Sequence, residues 1–413
     1  MSKNTFIKLL SDEVSRIDKT QTSKRHERVI DGFTNHPSPR AIMKGRGYIL
    51  FNSNDYLGLR HHPRLKQAEH DASERFGAGP GAVRFISGSL KVHQDLERAL
   101  ARFHGREAAM LFSSAFAANL AVLFSFLKGQ SKDSLVADNT VVVSDALNHR
   151  SIIDGIRLAN LDAEHKRIFN HLDMKALDAV LASCVGKYER AVVVTDGVFS
   201  MLGEMQNLHA MRSVIDAYDD SFPHGVWLIV DDCHGVAACG ATGRGTEELT
   251  GGRADILIGT LGKGFGADGG YVVADAVIID YLRESSATYI YSNPVSPATA
   301  AAGLAGVQVV DSDQGQALLA QSQSNIACFK EEAASRSIPF VADSNHPIQP
   351  VLIGDPQIAR TVTQGLFEAG IMVTSINYPV VPRGKDEIRV QISATHTHED
   401  ITSFLSILTR LIA

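Results

Sequence analysis

One lysine in this 413-residue chain sits in a frame of glycines: Thr260-Leu261-Gly262-Lys263-Gly264-Phe265-Gly266, with Gly269-Gly270 close behind. The apolar run before it, residues 254–259, reads as a short buried strand. Lys263 therefore stands where a strand gives way to a loop. An amine in that place can bond covalently to a ligand lying against the backbone. It is nucleophilic only when neutral, a state favoured by desolvation or by neighbouring cations. A solvated lysine in a flexible loop is the ordinary alternative for so short a motif.

A second stretch changes the balance. Val226-Trp227-Leu228-Ile229-Val230 is continuously apolar, as expected of a parallel strand covered on both faces. It ends abruptly in Asp231, Asp232 and His234. Ligands of open α/β sheets bind beyond the carboxyl ends of the strands. Alone, Asp231 reads equally well as a helix N-cap. Together, a strand-end carboxylate and a strand-end lysine are the two partners that pyridoxal phosphate needs. The acid keeps the pyridine nitrogen protonated, and the lysine carries the aldehyde as a Schiff base.

Five motifs then make the chain recognisable: VDDCHG (230–235), GTLGKGFG with GGY (259–266, 269–271), NDYLGL (54–59), SDALNH (144–149) and TDGVFSM (195–201). In their order along the chain they resemble the α-oxoamine synthases, fold-type I pyridoxal-phosphate enzymes that condense an amino acid with an acyl thioester. The resemblance runs from about residue 45 to the C-terminus. VRFISG (83–88), SNP (292–294) and YPVVPRG (378–384) are most similar to its glycine C-acetyltransferase branch.

The resemblance implies a role for each matching residue. Lys263, His149, His234 and Asp231 would be catalytic. His149 would stack on the cofactor ring, and His234 would bond near its phenolic oxygen. Ala115 and Phe116 would offer amides to the phosphate, Thr260 a hydroxyl, and Ser200 would lie near the ring. Ser292 and Asn293 would reach the site of a second subunit, giving a homodimer with shared active sites. Asn54 and Arg389 would grip the substrate carboxylate, and Arg84 would face the CoA or the acyl group. No metal is implied. Leu202 stands where the family pattern has an acidic residue before Gly203, and Pro80 departs from it in the loop before Val83.

The elements that must position these groups follow from hydrophobic periodicity. Residues 3–30 carry Phe6, Leu9, Leu10, Val14 and Ile17 at helical spacing, which predicts an amphipathic N-terminal arm. From residue 107 strands and helical stretches alternate: strands are expected at 108–112, 141–144, 166–169, 191–195, 226–231, 255–259 and 271–274. Such alternation argues for a doubly wound, mostly parallel sheet. The loop between the last two is too short for a helical crossover, so one of them should run antiparallel. Ser113-Ser114-Ala115-Phe116 opens a helix whose free amides suit a phosphate. A helical, alanine-rich stretch at 297–337 leads to strands at 349–353, 371–374 and 388–393, with helices at 356–369 and 398–412. In the last of these strands Ile388, Val390 and Ile392 share one face, and Arg389 points the other way.

The fold class expected is thus α/β: a fold-type I transferase with a smaller C-terminal α+β domain. The divisions are 1–60 (arm and small segment), 61–296 (cofactor domain) and 297–413. Composition is that of an ordinary soluble protein, 44% hydrophobic and 21% charged. A net charge of −6 gives no reason to expect nucleic acid or a membrane surface. Four cysteines without metal-type spacing suggest a reducing compartment. The N-terminal residues lack the apolar core of a secretory signal, and no stretch is long enough to span a bilayer. The cytoplasm is the expected location.

The chemistry expected is condensation of glycine with acetyl-CoA. A serine- or alanine-using, long-acyl relative remains an alternative. So do an aminotransferase, which needs the same lysine and aspartate, and a non-catalytic scaffold.

Overall fold

A computed structural model describes residues 3–20, 23–34, 38–131, 133–136, 139–378 and 381–412. Its centre is a seven-stranded sheet. In spatial order the strands are Ala108–Phe112, Gly270–Ala274, Ile256–Thr260, Val226–Asp231, Arg190–Asp196, Thr140–Asp145 and Lys166–Phe169. All seven were expected within a residue or two. Gly270–Ala274 is antiparallel to both its neighbours, and the remaining pairs are parallel. The short loop carrying Lys263 allows nothing else.

Helices cover both faces, so alternate residues of one strand enter different cores. Leu257 packs in one apolar cluster, while Ile256 and Ile258 pack in the other. Val193 and Val192 divide in the same way. Each fully buried side chain of this size contributes roughly 1.5–3 kcal/mol. That makes the sheet a rigid base for the groups at its carboxyl edge.

The N-terminal helix spans Lys3–Lys19, shorter than the 3–30 expected. Apolar spacing stops at Ile17, and residues 23–31 are mostly exposed coil; residues 21 and 22 lie outside the described set. No residue of this helix is buried within the chain: Phe6, Ile7, Leu9, Leu10 and Val14 all face outward. The strands Arg40–Met43 and Arg46–Leu50 then pair with each other, and Ile49 pairs in parallel with Ile371. The N-terminal segment thus closes on the C-terminal one rather than on the large sheet.

The helical stretch expected at 297–337 is two helices, Pro297–Val310 and Asp313–Ser335, broken at Asp311-Ser312. The expected 371–374 strand also divides. Ile371–Met372 joins the N-terminal strands, and Thr374–Ile376 joins an antiparallel sheet with Glu387–Gln391 and Ile348–Leu352. Ile388, Val390 and Ile392 lie in the C-terminal core as their alternation implied. Of the stretch 378–384, Pro379 and Val380 lie outside the described residues. No helix among the described residues is long and apolar enough to cross a membrane.

Candidate active site

Lys263 occupies the turn between Ile256–Thr260 and Gly270–Ala274. Its glycines serve close packing more than open space. A Cβ on Gly264 would fall on the Ala237 carbonyl, and one on Gly266 (φ +73°) would strike Leu59 and the Arg60 amide. The loop is thereby pinned against two neighbouring segments. Thr260 Oγ donates to Gly269 O at 3.0 Å and accepts from Gly262 N at 3.1 Å, fixing the turn's base.

Lys263 lines a cavity of about 280 Å³ together with Asp231, His149, His234, Thr260, Ser200, Ala115 and Phe116. Residues 115 to 263 in sequence thus converge at the carboxyl edge of one sheet, where a ligand site is expected. A larger hollow of about 530 Å³ around Phe124, Lys128 and Asn160 lies elsewhere and has none of these residues on its walls.

Asp231 closes its strand almost fully buried. Its Oδ2 accepts from Asn119 Nδ2 at 2.6 Å and its Oδ1 from Cys233 N at 3.0 Å. These two donors fix the orientation of the carboxylate at the strand end. Asn119, Ser151, Asp196 and Tyr56 were not foreseen. Asn119 stands one helical turn beyond Ala115, a spacing that would have placed it on the same face. Asp196 closes the next strand, and its Oδ2 accepts from His149 N at 2.7 Å.

His234 Nδ1 lies 2.7 Å from the Tyr56 hydroxyl. Burial holds the imidazole well below its ordinary pKa, and Lys263 and Arg389 push the same way. His149 caps the helix Arg150–Leu158 through Nδ1, and its ring meets Phe116 edge-on at 6.5 Å between centroids. Burial lowers its pKa as well.

Asn54 and Arg389 stand behind this wall rather than on it. Asn54 Oδ1 accepts from Gln391 Nε2 and from Tyr56 OH at 3.3 Å, and Gln391 shares a strand face with Arg389. An exposed strand arginine would be an ordinary surface charge. Arg389 is instead largely buried, and its Nε and Nη2 have no hydrogen-bond partner among the described residues. A guanidinium so placed has donors free for a carboxylate.

Three expectations need correction or remain apart from the cavity. Arg84 does not face a ligand: its fork is bound by Glu97 at 2.6 and 3.0 Å, buried, with Ser89 taking Nε at 2.8 Å. Helix Lys91–Phe103 supplies Glu97, and a buried guanidinium requires such a partner. Ser292 and Asn293 lie beside Arg84 in a small separate cleft, not on the Lys263 cavity.

The cavity's own atoms fit a phosphate-bearing aldehyde. Helix Ala115–Lys128 aims its first amides at it, and Gly270 lacks a Cβ that would otherwise fall on the Ala115 nitrogen. A buried carboxylate and an amine line the same cavity.

Residues 46–408 match the family of class I and II aminotransferases. The 8-amino-7-oxononanoate synthase 1 of Bacillus velezensis is 37% identical over 396 residues, 95% of each chain. The mitochondrial 2-amino-3-ketobutyrate coenzyme A ligase of Bos taurus is 38% identical over 398 residues, 95% of this chain and 89% of its own. Among solved structures, a serine palmitoyltransferase of Sphingomonas wittichii superposes with a TM-score of 0.86 at 26% identity, covering 98% and 97% of the two chains. A second neighbour, an SPT holding PLP, gives the same TM-score over 100% and 98%. Fold, site and relatives agree, and the chain belongs to the α-oxoamine synthases, the pyridoxal-phosphate-dependent acyltransferases within the class I and II aminotransferase family.

Proposed function

We propose that this enzyme joins glycine to acetyl-CoA, releasing CoA and forming a β-keto amino acid. The observation that carries the reading is that Lys263, Asp231 and the Ala115–Phe116 helix start all line one cavity. When bound, pyridoxal phosphate supplies the aldehyde and the protonated ring that draws electrons from the amino acid's α-carbon.

The chain's own residues do the rest. Arg389 and Asn54 orient the substrate carboxylate. The Lys263 amine removes the α-proton as general base. Asp231, oriented by two N–H donors, would hold the ring-nitrogen proton. The electron pair left on the α-carbon attacks the thioester carbonyl. The C–S bond breaks, and CoA leaves as thiolate, taking a proton from solvent. His149 and His234, both biased towards the neutral form by burial, orient substrate and ring oxygen without adding charge.

The site is shared across a homodimer, with Ser292 and Asn293 facing the partner's cofactor. Support comes from the N-terminal helix, whose apolar face finds no cover in its own chain, and from the frequency of two-fold pairing. We divide the chain at residues 60 and 296 and place the enzyme in the cytoplasm, where its four unpaired cysteines would stay reduced.

A second reading has an observation of its own: the relatives include an 8-amino-7-oxononanoate synthase and serine palmitoyltransferases. One series of acyl-CoAs from two to sixteen carbons, run with glycine, serine and alanine, separates the two. A closed pocket loses kcat/KM after two or three carbons, because overpacking costs roughly 1–3 kcal/mol. An optimum at eight carbons or longer, or a preference for serine, overturns the acetyl-glycine assignment.

A further inference from the structure

A chain of hydrogen bonds behind the cavity fixes where one proton sits. Ser151 N points at His149 Nδ1 at 3.3 Å, and Ser151 Oγ lies 2.7 Å from the same nitrogen. A backbone N–H can only donate, so Nδ1 must offer it a lone pair. Ser151 Oγ in turn receives Asn119 Nδ2 at 3.0 Å, which also can only donate. The serine proton is left for Nδ1. Asn119 sends its other hydrogen to Asp231 Oδ2 at 2.6 Å, with Ala115 O a weaker third acceptor at 3.3 Å. A carboxylate and a carbonyl can only accept, which fixes the amide's orientation. The alternative orientation would aim a carbonyl at the carboxylate.

The price of this arrangement is visible: Asn119 Oδ1 is buried without a partner among the described residues. An amide held so has been placed for what its nitrogen does. We propose that Ser151 and Asn119 are positioning residues that lock His149 as the neutral tautomer protonated at Nε2, and that tie this tautomer by hydrogen bonds to the Asp231 carboxylate. His149 then meets the cavity as a hydrogen-bond donor and cannot act there as a base. What it recognises is an oxygen: a substrate carboxylate or the carbonyl of the acyl group.

The groups around the ring agree. Asp196 accepts the His149 backbone N–H rather than a ring N–H, and Phe116 packs against the ring edge. Burial and Lys263 disfavour a second proton on the imidazole, opposed by Asp231.

The role of the donor in turnover rests on the function proposed above, but the tautomer does not. It is measured by nitrogen-15 NMR of the full-length chain labelled at histidine, both without cofactor and after reconstitution with pyridoxal phosphate. His149→Gln identifies the signal. The expected result is an unprotonated Nδ1 and a protonated Nε2 at neutral pH. In Ser151→Ala the titration midpoint of His149 should rise by roughly one unit, as expected on losing a hydrogen bond to the neutral form. Ser151→Thr, which keeps the hydroxyl, should restore it, and Asn119→Ala should shift it in the same direction as Ser151→Ala. A wild-type His149 protonated at Nδ1, or a midpoint unmoved by Ser151→Ala, overturns the proposal. Ser151→Ala removes one oxygen from a helix's first turn and decides the matter even if Asn119→Ala fails to fold. A correct tautomer in a chain without synthase activity would refute the function and leave this inference standing.

Discussion

Asp196 and Asp231 end neighbouring parallel strands at paired register positions, which sets two buried carboxylates side by side at the floor of the site. Two such groups cannot both carry charge cheaply. Burial first, and then the charge of Asp231, raises the pKa of Asp196 well above its ordinary value. Asp231 is the one that accepts two N–H donors.

That division of labour gives unequal mutants. Asp231→Asn should bind cofactor yet slow exchange of the glycine α-proton by about 10²–10³-fold, the scale of losing one preorganised electrostatic partner. Asp196→Asn replaces a group whose ionisation burial and Asp231 already oppose, and should cost less than tenfold. Exchange followed by proton NMR checks both, and equal losses would mean the charge is shared rather than assigned.

Lys263→Ala should abolish turnover, because no other amine lines the cavity among the described residues. Its fold should survive: the side chain is only half-buried, and its removal opens no core cavity. Thermal unfolding within a few degrees of wild type, with no CoA released, is the expected pair of results. Persistent CoA release with glycine would remove Lys263 from the mechanism.

Glu387 shares a strand face with Arg389 and is fully buried, its two carboxylate oxygens without hydrogen-bond partners among the described residues. Burial raises its pKa from 4.5 to about 8, against the pull of Arg389. The unfolded chain therefore loses this proton first, so the group destabilises the fold progressively from pH 4.5 up to about 8. Glu387→Gln should flatten that slope and add roughly 2–4 kcal/mol at pH 8. It should also keep KM for the amino acid from rising above pH 8, where an ionised Glu387 would compete for Arg389. Urea unfolding at pH 5, 6.5 and 8 measures the first effect, and an unchanged slope would contradict it.

Much of the site was legible because strand ends announce themselves. The run 226–230 is apolar without interruption, and Asp231 breaks it, so strand, face cover and carboxylate came from one stretch. What stayed hidden depends on contacts between distant residues. Asn119 looks like any polar residue in an apolar helix until Asp231 is brought beside it, 112 residues away. Arg84 looked free because its partner Glu97, thirteen residues on, reads as one more charge in a charged helix until the fold turns it inward beside Leu96 and Leu100. Arg389's alternation was correct, but alternation tells which face, not whether that face meets water. The glycines around Lys263 marked the loop, but not that Gly264 and Gly266 are needed for close contact with Ala237 and Leu59.

The glycines allow a test that touches no catalytic group. Gly270 opens the antiparallel strand beside the helix that begins at Ala115. A Cβ there would fall on the Ala115 nitrogen and the Ser114 carbonyl carbon, which are backbone atoms that cannot swing aside. Gly270→Ala must therefore push the helix start outward and disperse the amides aimed at the phosphate. Gly262, one residue from Lys263, is the control: its added Cβ would meet Asp268 Oδ1 at 3.4 Å and Thr260 Oγ at 3.5 Å, ordinary contacts. Losing one or two charge-assisted hydrogen bonds at about 1.5–3 kcal/mol each should weaken pyridoxal phosphate binding in Gly270→Ala by roughly ten- to a hundred-fold or more. Gly262→Ala should stay within a few-fold of wild type. Equilibrium dialysis of the cofactor against each variant gives the comparison. Wild-type affinity in Gly270→Ala would show that the phosphate does not sit at this helix.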